Sequence, residues 1–205
     1  AAGAFSTVLR ARHAASGGEV AIKSFFDGAE HDAAAEREME VLRLLQGARH
    51  GHIAIMLAEH RGLHARHAVL IYCGEGSLHR HLQKLHVKQQ AMREADAARV
   101  AAQIGSALRH LHQMGVAHRD VKPANCLLDG SGAWRLCDFG FAIQCGGRVL
   151  RKLVGTPAYL APELVRGGGY TGPAVVYFCC DSNERPRSHR GFLCTCQPHR
   201  RPVSM

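Results

Sequence analysis

The segment His118–Asn125, which reads His-Arg-Asp-Val-Lys-Pro-Ala-Asn, constrains the fold more than any other part of the chain. Its aspartate can accept a proton from a hydroxyl, its lysine can steady a transferring phosphate, and its asparagine can ligate a metal. Pro123 stiffens the loop between them. The apolar run Cys126–Leu128 that follows predicts a strand. The segment therefore indicates phosphate and metal chemistry on a loop.

Two further motifs carry charged side chains suited to the same chemistry. Asp138-Phe139-Gly140 follows eighteen residues after Asp120, and such a carboxylate suits Mg²⁺, which takes oxygen ligands and few of them from protein. Upstream, the segment Val20–Lys23 places a lysine at the end of a predicted apolar strand. Glu38 lies fifteen residues after Lys23, in a predicted amphipathic helix. A lysine at a strand end is usually a solvated edge residue. The functional interpretation is a cation aimed at phosphate and held by Glu38.

Glycine is sparse at the start of the chain and punctuates its later part. Gly3 precedes a strand within Ala1–Val8, in a glycine-poor version of a loop whose backbone N–H groups cover phosphate oxygens. A single glycine in that position is more often a simple turn. Gly155-Thr156-Pro157 and Ala161-Pro162-Glu163 come after the central motifs.

The hydrophobic pattern predicts strands in the first part of the chain and helices in the second. Apolar runs predict strands at Phe5–Arg10, Glu19–Phe25 and His67–Cys73. Apolar residues at helical spacing predict helices around Ala35–Leu45 and over residues 94–114. This order favours an α+β fold.

These motifs, in this order, resemble those of eukaryotic-type serine/threonine protein kinase catalytic domains. The resemblance rests on Val20–Lys23, His118–Asp120 with Asn125, Asp138–Gly140 and Ala161–Glu163, and it covers residues 1 to about 175. Lys122 and the segment Gly155–Pro157 are similar to the serine/threonine branch rather than the tyrosine branch. The resemblance implies a protein-kinase-like two-lobe α+β fold with a truncated C-terminal lobe.

The resemblance also implies a division of the chain. Residues 1–73 are expected to form the N-terminal lobe and hinge, and residues 74–175 a partial C-terminal lobe with the catalytic and activation segments. A kinase should continue after Val175 into a buried helix, but the sequence runs Val176-Tyr177-Phe178-Cys179-Cys180. We therefore expect residues 176–205 to be a non-homologous, disordered tail that is basic and rich in Cys and Arg.

Specific roles follow from the resemblance position by position. Asp120 would orient the substrate hydroxyl and accept its proton, and Lys23 would contact phosphates while paired with Glu38. The expected catalytic residues are Asp120, Lys122, Lys23 and Glu38. The expected ATP-binding residues are Gly3, Val8, Ala21, Lys23, Leu70, Ile71, Cys73 and Leu127. Asn125 and Asp138 are expected to hold Mg²⁺.

The implied function is ATP-dependent phosphoryl transfer to serine or threonine hydroxyls of protein substrates. The alternative is a catalytically inactive, truncated kinase-like module that binds nucleotide or a partner. A small-molecule phosphotransferase is disfavoured, because Ala161–Glu163 resembles a peptide-substrate platform. Thr156 is the only Ser or Thr between Gly140 and Ala161, and the resemblance places it in the substrate-facing loop. Because the usual phosphorylation position holds Arg151-Lys152 instead, we expect activity that does not depend on activation-loop phosphorylation.

Composition adds limits on partners and location. A net charge of +9 allows a phosphate-rich ligand, a nucleic acid or an anionic surface without choosing among them. The arginines of the tail lack interleaved aromatics, so we expect no nucleic-acid partner. No run of about 20 apolar residues is present, so we expect no membrane span. Scattered cysteines indicate reduced thiols and an intracellular location, cytoplasmic or nuclear. The oligomeric state stays open.

Overall fold

A computed structural model of the chain describes residues 6–27, 32–161, 164, 169 and 170. The expectations for Gly3, Glu163 and residues 176–205 lie outside the described residues. Nine strands and three α-helices are formed within that part of the chain: β1 Ser6–Arg12, β2 Glu19–Phe26, α1 Asp32–Gly47, β3 Met56–Arg61, β4 Ala65–Ile71, β5 Gly76–Ser77, α2 Leu78–Val87, α3 Glu94–Gln113, β6 Val116–Ala117, β7 Cys126–Leu128, β8 Trp134–Leu136 and β9 Ile143–Gln144.

The first four strands form one antiparallel sheet in the order β1-β2-β4-β3. The three strands predicted from apolar runs are confirmed as β1, β2 and β4, with ends shifted by up to two residues. The helix predicted around Ala35–Leu45 is confirmed as α1. It buries Met39, Leu42 and Leu45 to 1% exposure or less. Each such side chain stabilises the fold by about 1.5–3 kcal/mol, so this stripe holds α1 in place.

Six elements were not predicted: the strands β3, β5, β6, β8 and β9 and the helix α2. Strand β3 buries only Met56 and exposes its other five residues, so it shows no alternation of apolar and polar side chains. Helix α2 is short, and Leu78 is its only fully buried residue. Its start is nevertheless encoded, because the side chain of Ser77 accepts a hydrogen bond from the backbone N–H of Arg80.

Helix α3 is the main support of the second half. Its buried stripe consists of the residues predicted from spacing: Val100, Ile104, Ala107, Leu108 and Leu111. It packs against the short strands β6 and β8. Strands β5, β7 and β8 form a three-stranded sheet, and β6 pairs with β9. These short strands bracket the two chemically important loops.

The segment between α1 and β3 joins the two halves. The backbone N–H of Ala54 donates to Leu136 O at 2.9 Å, and the N–H of Leu136 donates to His52 O at 2.9 Å. One hydrophobic core therefore runs from Met39 of α1 to Phe139 beyond β8. No helix in the described part of the chain is both long enough and apolar enough to cross a membrane.

Candidate active site

A buried lysine joins three elements at the centre of the molecule. Lys23 of β2 lies 2.5 Å from Glu38 Oε1 of α1 and 3.0 Å from Asp138 Oδ1, measured from Nζ. Lys23 is 8% exposed and Glu38 is 5% exposed, whereas the side chain of Asp138 is 47% exposed. The cation is thus held from inside by Glu38, and its open side faces Asp138.

The charges of this group support one another. Burial alone would lower the pKa of Lys23, but the nearby carboxylates of Glu38 and Asp138 raise it above its usual value. Burial would likewise raise the pKa of Asp138, but the Lys23 ammonium lowers it below its usual value. At neutral pH Lys23 is therefore a cation and Asp138 an anion.

The aspartate of the His118–Asn125 loop is held by four donors. Its Oδ1 accepts from Thr156 N at 3.0 Å and from Thr156 Oγ1 at 2.7 Å. Its Oδ2 accepts from Asn125 Nδ2 at 3.1 Å and pairs with Lys122 Nζ at 2.7 Å. Lys122 also donates to Thr156 Oγ1 at 2.8 Å. Asp120 is 4% exposed, so its orientation is fixed by these contacts.

His118 has a structural role beside this cluster. Its Nδ1 accepts from the backbone N–H of Asp120 at 3.2 Å, so Nε2 carries the proton and donates to Cys137 O at 3.0 Å. Its ring meets that of Phe139 edge-on at 5.1 Å. Burial lowers the pKa of His118, which keeps it neutral and ties the Asp120 loop to the Asp138 loop.

Two residues of these loops adopt left-handed backbone conformations. Arg119 has φ +67° and Asp138 has φ +63°, a region that non-glycine residues occupy at a cost of order 1–3 kcal/mol. The Nε of Arg119 donates to Phe141 O at 2.7 Å, which compensates part of that cost. The strained positions are therefore Asp138 itself and the residue directly before Asp120.

The predicted nucleotide-binding residues of the sheet share one face. Val8 stands opposite Lys23, and Ala21 stands opposite Leu70. Directly paired residues, and residues two apart on one strand, project from the same side of a sheet. The side chains of Val8, Ala21 and Leu70 are half-buried. The structure therefore places three apolar residues beside the Lys23 cation, on a face that is only partly covered.

The remaining predicted nucleotide contacts lie on the strand end and beyond it. Ile71 ends β4, where it pairs with Val20 of β2, and its N–H donates to Ile55 O at 3.2 Å. Cys73 is 9% exposed, and burial raises its pKa to about 11. It is therefore an unactivated thiol. Leu127 is half-buried on β7, opposite Ser77 and Arg135.

Asn125 and Asp138 offer oxygen ligands of the kind that Mg²⁺ prefers. Because the amide Nδ2 of Asn125 donates to Asp120 O at 2.8 Å, its Oδ1 is the atom able to ligate a cation. No group of three or more His, Cys, Asp or Glu in the described ranges could hold a metal. A hard cation that keeps water or phosphate ligands fits this donor set.

A charged network ties α1 to the sheet on the outside. Arg43 of α1 grips Glu59 of β3 with two bonds of 2.8 Å and donates to Glu36 at 2.9 Å. Arg66 of β4 also binds Glu36. Glu36 lies on a different face of α1 from Glu38, because two residues turn a helix by about 200°. The network itself has no sequence signature, since its members come from three elements.

Thr156 was not among the predicted catalytic residues, although it contacts both Asp120 and Lys122. The signal was the Gly155-Thr156-Pro157 motif. Gly155 has φ +110°, and a Cβ there would lie 2.4 Å from Arg119 O. Only glycine lets this backbone approach the loop, and the approach brings Thr156 to Asp120.

Comparison with known proteins agrees with this geometry. The model of the protein kinase domain family matches residues 2–180. CBL-interacting serine/threonine-protein kinase 21 of Arabidopsis thaliana is 45% identical over 64 residues, which are 31% of this chain and 15% of that protein. A cGMP-dependent protein kinase of Toxoplasma gondii is 54% identical over 55 residues, 27% of this chain and 5% of that protein.

The alignable part of the chain thus spans a small fraction of these relatives. The family match, in contrast, extends over most of the chain and contains every motif described above. The α+β fold expected from the motifs is confirmed, with a sheet in the first half and helices in the second. The chain belongs to the protein kinase domain family.

Proposed function

We propose that the chain catalyses ATP-dependent phosphoryl transfer to serine or threonine hydroxyls of protein substrates. The observation that carries this proposal is the contact of Lys23 with both Glu38 and Asp138. These residues are far apart in sequence, and their convergence creates a cation next to an anion on the half-open face of Val8 and Ala21. That arrangement suits a nucleotide whose phosphates need a cation and whose metal needs a carboxylate.

The side chains have distinct tasks in the proposed reaction. Asp120 orients the acceptor hydroxyl and takes its proton, as the hydroxyl oxygen bonds to the γ-phosphorus and ADP leaves. Lys122 bonds to Asp120 and Thr156, where it steadies the transferring group. Asn125 and Asp138 would hold Mg²⁺, which neutralises phosphate charge when bound.

The proposal extends to the nucleotide pocket and the setting. Val8, Ala21, Leu70 and Leu127 would enclose the adenine, and main-chain groups of Ile71 and Cys73 would read its edge. The four described cysteines are free thiols, as is usual in a reducing compartment. We infer an intracellular setting, cytoplasmic or nuclear, with a protein substrate as partner.

The test compares nucleotide binding with turnover. We expect Mg·ATP to raise the melting temperature of the full chain and to label a generic protein substrate on serine or threonine. Asp120→Asn should lower the phosphotransfer rate by at least about 100-fold, because the acceptor for the hydroxyl proton weakens. The same variant should retain the thermal shift, because Asp120 does not hold the nucleotide.

A second candidate is a binding module without turnover. The sequence feature that favours it is the segment after Val175, where Val176–Cys180 stands in place of the buried helix that the kinase resemblance implies. A thermal shift with Mg·ATP but without any phosphotransfer would select this candidate. The absence of both responses would contradict both candidates.

A further inference from the structure

The charges of the second half of the chain are unequally distributed. Residues 74–161 contain twelve Lys and Arg but six Asp and Glu. Four of the six carboxylates are already in ion pairs: Asp96, Asp120, Asp129 and Asp138. Eight of the twelve cations form no ion pair within the described residues: Arg80, Lys84, Lys88, Arg109, Arg119, Arg148, Arg151 and Lys152. Most of the negative charges are neutralised by ion pairs, whereas most of the positive charges are not.

Half of these cations lie on two segments, the loop that contains Asp120 and the segment that leads to Thr156, which contacts Asp120. Arg119 precedes Asp120, and Arg148, Arg151 and Lys152 lie within residues 141–161, which contain no Asp or Glu at all. Arg148, Arg151 and Lys152 are exposed. We call Arg119, Arg148, Arg151 and Lys152 the basic rim.

Contacts hold the basic rim near Asp120. Leu150 exchanges backbone hydrogen bonds of 2.6 and 2.9 Å with Tyr170, and Tyr170 Oη donates to Lys152 O at 2.9 Å. The same segment then reaches Thr156, whose hydroxyl donates to Asp120 at 2.7 Å. The segment is therefore fixed on both sides of Arg151 and Lys152.

Distance allows these charges to act on a bound peptide. A chain spans at most about 3.6 Å per residue, so the backbone of Arg151 lies within about 18 Å of Thr156. An extended peptide covers the same distance in about five residues, so side chains flanking a hydroxyl at Asp120 can reach the rim. The Debye length is about 8 Å at physiological salt, so flanking residues within that distance of the rim respond to it.

We propose that the protein substrates are acidic around the phosphorylated residue, with Asp or Glu on the residues flanking the serine or threonine. The inference rests on the proposed function, since it assigns a substrate class to the same site. Electrostatic complementarity would act mainly on association and specificity.

The experiment uses the full chain with two peptides that share one central serine. One carries Asp and Glu at the flanking positions, and the other carries Lys and Arg. We expect kcat/KM to be at least tenfold higher for the acidic peptide, with the difference in KM. The ratio should shrink as salt rises from 50 to 300 mM, because screening weakens the attraction.

Matched variants separate a local effect from a general charge effect. Arg151→Glu/Lys152→Glu should reduce the preference for the acidic peptide by at least tenfold and leave the KM for ATP unchanged. Lys88→Glu/Arg109→Glu changes the net charge equally at the end of α2 and on the exposed face of α3. It should leave the preference within about twofold of the unaltered chain.

Binding of non-acceptor peptides keeps this proposal separate from the proposed function. Peptides with alanine in place of serine should show the same order of affinity by fluorescence anisotropy, even without phosphotransfer. Equal affinity for acidic and basic peptides, or equal effects of the two double variants, would overturn the proposal. It would also be overturned if single-stranded DNA of mixed sequence bound more tightly than the acidic peptide.

Discussion

A single added carbon atom, the Cβ of any other residue at position 155, would disturb the packing around Asp120. The backbone of Gly155 packs so closely on Arg119 O that a Cβ would lie 2.4 Å away. The next residue, Thr156, then supplies two of the four donors that hold Asp120. At this scale the chemistry depends on an absent side chain as much as on charged ones.

Gly155→Ala should therefore lower activity far more than a change of backbone preference explains. The matched control is Gly147→Ala, because Gly147 also has a positive φ of +81° but has open space around its Cβ position. A left-handed non-glycine residue costs of order 1–3 kcal/mol in both variants. We expect phosphotransfer to fall at least tenfold in Gly155→Ala and less than threefold in Gly147→Ala.

Urea unfolding separates the two causes. Both variants should lose a similar amount of stability from the φ value, and Gly155→Ala should lose more because of the collision. Equal stability and equal activity of the two variants would show that the contact with Arg119 is not needed.

At the scale of elements, helix α1 is held by two different kinds of interaction. Its apolar stripe, which includes Met39 and Leu42, is buried in the core. Its charged side is tied to β3 and β4 by Glu36 and Arg43. Burial fixes the helix against the sheet, while the ion pairs restrict its rotation and thereby the position of Glu38.

Arg66→Ala should reduce the phosphotransfer rate about three- to tenfold, because α1 then loses its tie to β4. The double exchange Glu36→Arg/Arg66→Glu restores an ion pair between α1 and β4 but removes the Glu36–Arg43 pair, so it should recover part of the rate. Arg99→Ala is the control, since it removes an exposed pair with Asp96 inside α3. Exposed pairs contribute about 0.2–1 kcal/mol, so this control should leave the rate unchanged.

The comparison of rate with melting temperature makes this test specific. A purely structural role for Arg66 would lower melting temperature and rate together. A rate loss with a melting temperature within about 2 °C of the unaltered chain supports positioning of α1. Failure of the double exchange to recover any activity would count against it.

At the scale of the whole molecule, stability should depend on pH through one buried histidine, His118, and two half-buried ones, His50 and His112. Burial and the nearby rings of His110 and His52 lower the pKa of His50, which stacks on His110 with ring centres 4.9 Å apart. Burial also lowers the pKa of His112 and His118. All three are thus held neutral in the folded state.

The sign follows from proton linkage. The unfolded chain binds protons at these histidines near pH 6.5, where the folded chain binds fewer. The free energy of unfolding should therefore decrease as pH falls from 7.5 to 5. Urea unfolding at several pH values measures the slope, and His50→Gln/His112→Gln should make it shallower. His79→Gln, an exposed change, should leave it unaltered.

An unchanged slope in the double variant would show that protonation of His50 and His112 does not lower the stability of the folded chain. The choice of window matters, because carboxylates contribute at lower pH. For example, burial acts against ionisation of Asp129, but hydrogen bonds from Ser131 and Arg135 lower its pKa to about 2.

Local patterns in the chain determined much of the fold. Strands β1, β2 and β4 followed from apolar runs. Helices α1 and α3 followed from apolar residues at helical spacing, because those residues form the buried stripe of each helix. Strand β3 and helix α2 did not follow, because nearly all of their side chains are at least partly exposed. Their identity depends on neighbours elsewhere in the chain.

The sequence by itself determined which residue types could do chemistry, since Lys23, Glu38, Asp120, Asn125 and Asp138 were all chosen from motifs and spacing. Only the tertiary structure decided that Lys23 contacts Glu38 and Asp138 together and that Thr156 closes on Asp120. The physical reason is that these contacts join segments 15 to 115 residues apart. Such contacts form when the shared core brings α1, the sheet and both loops together, which no local pattern records.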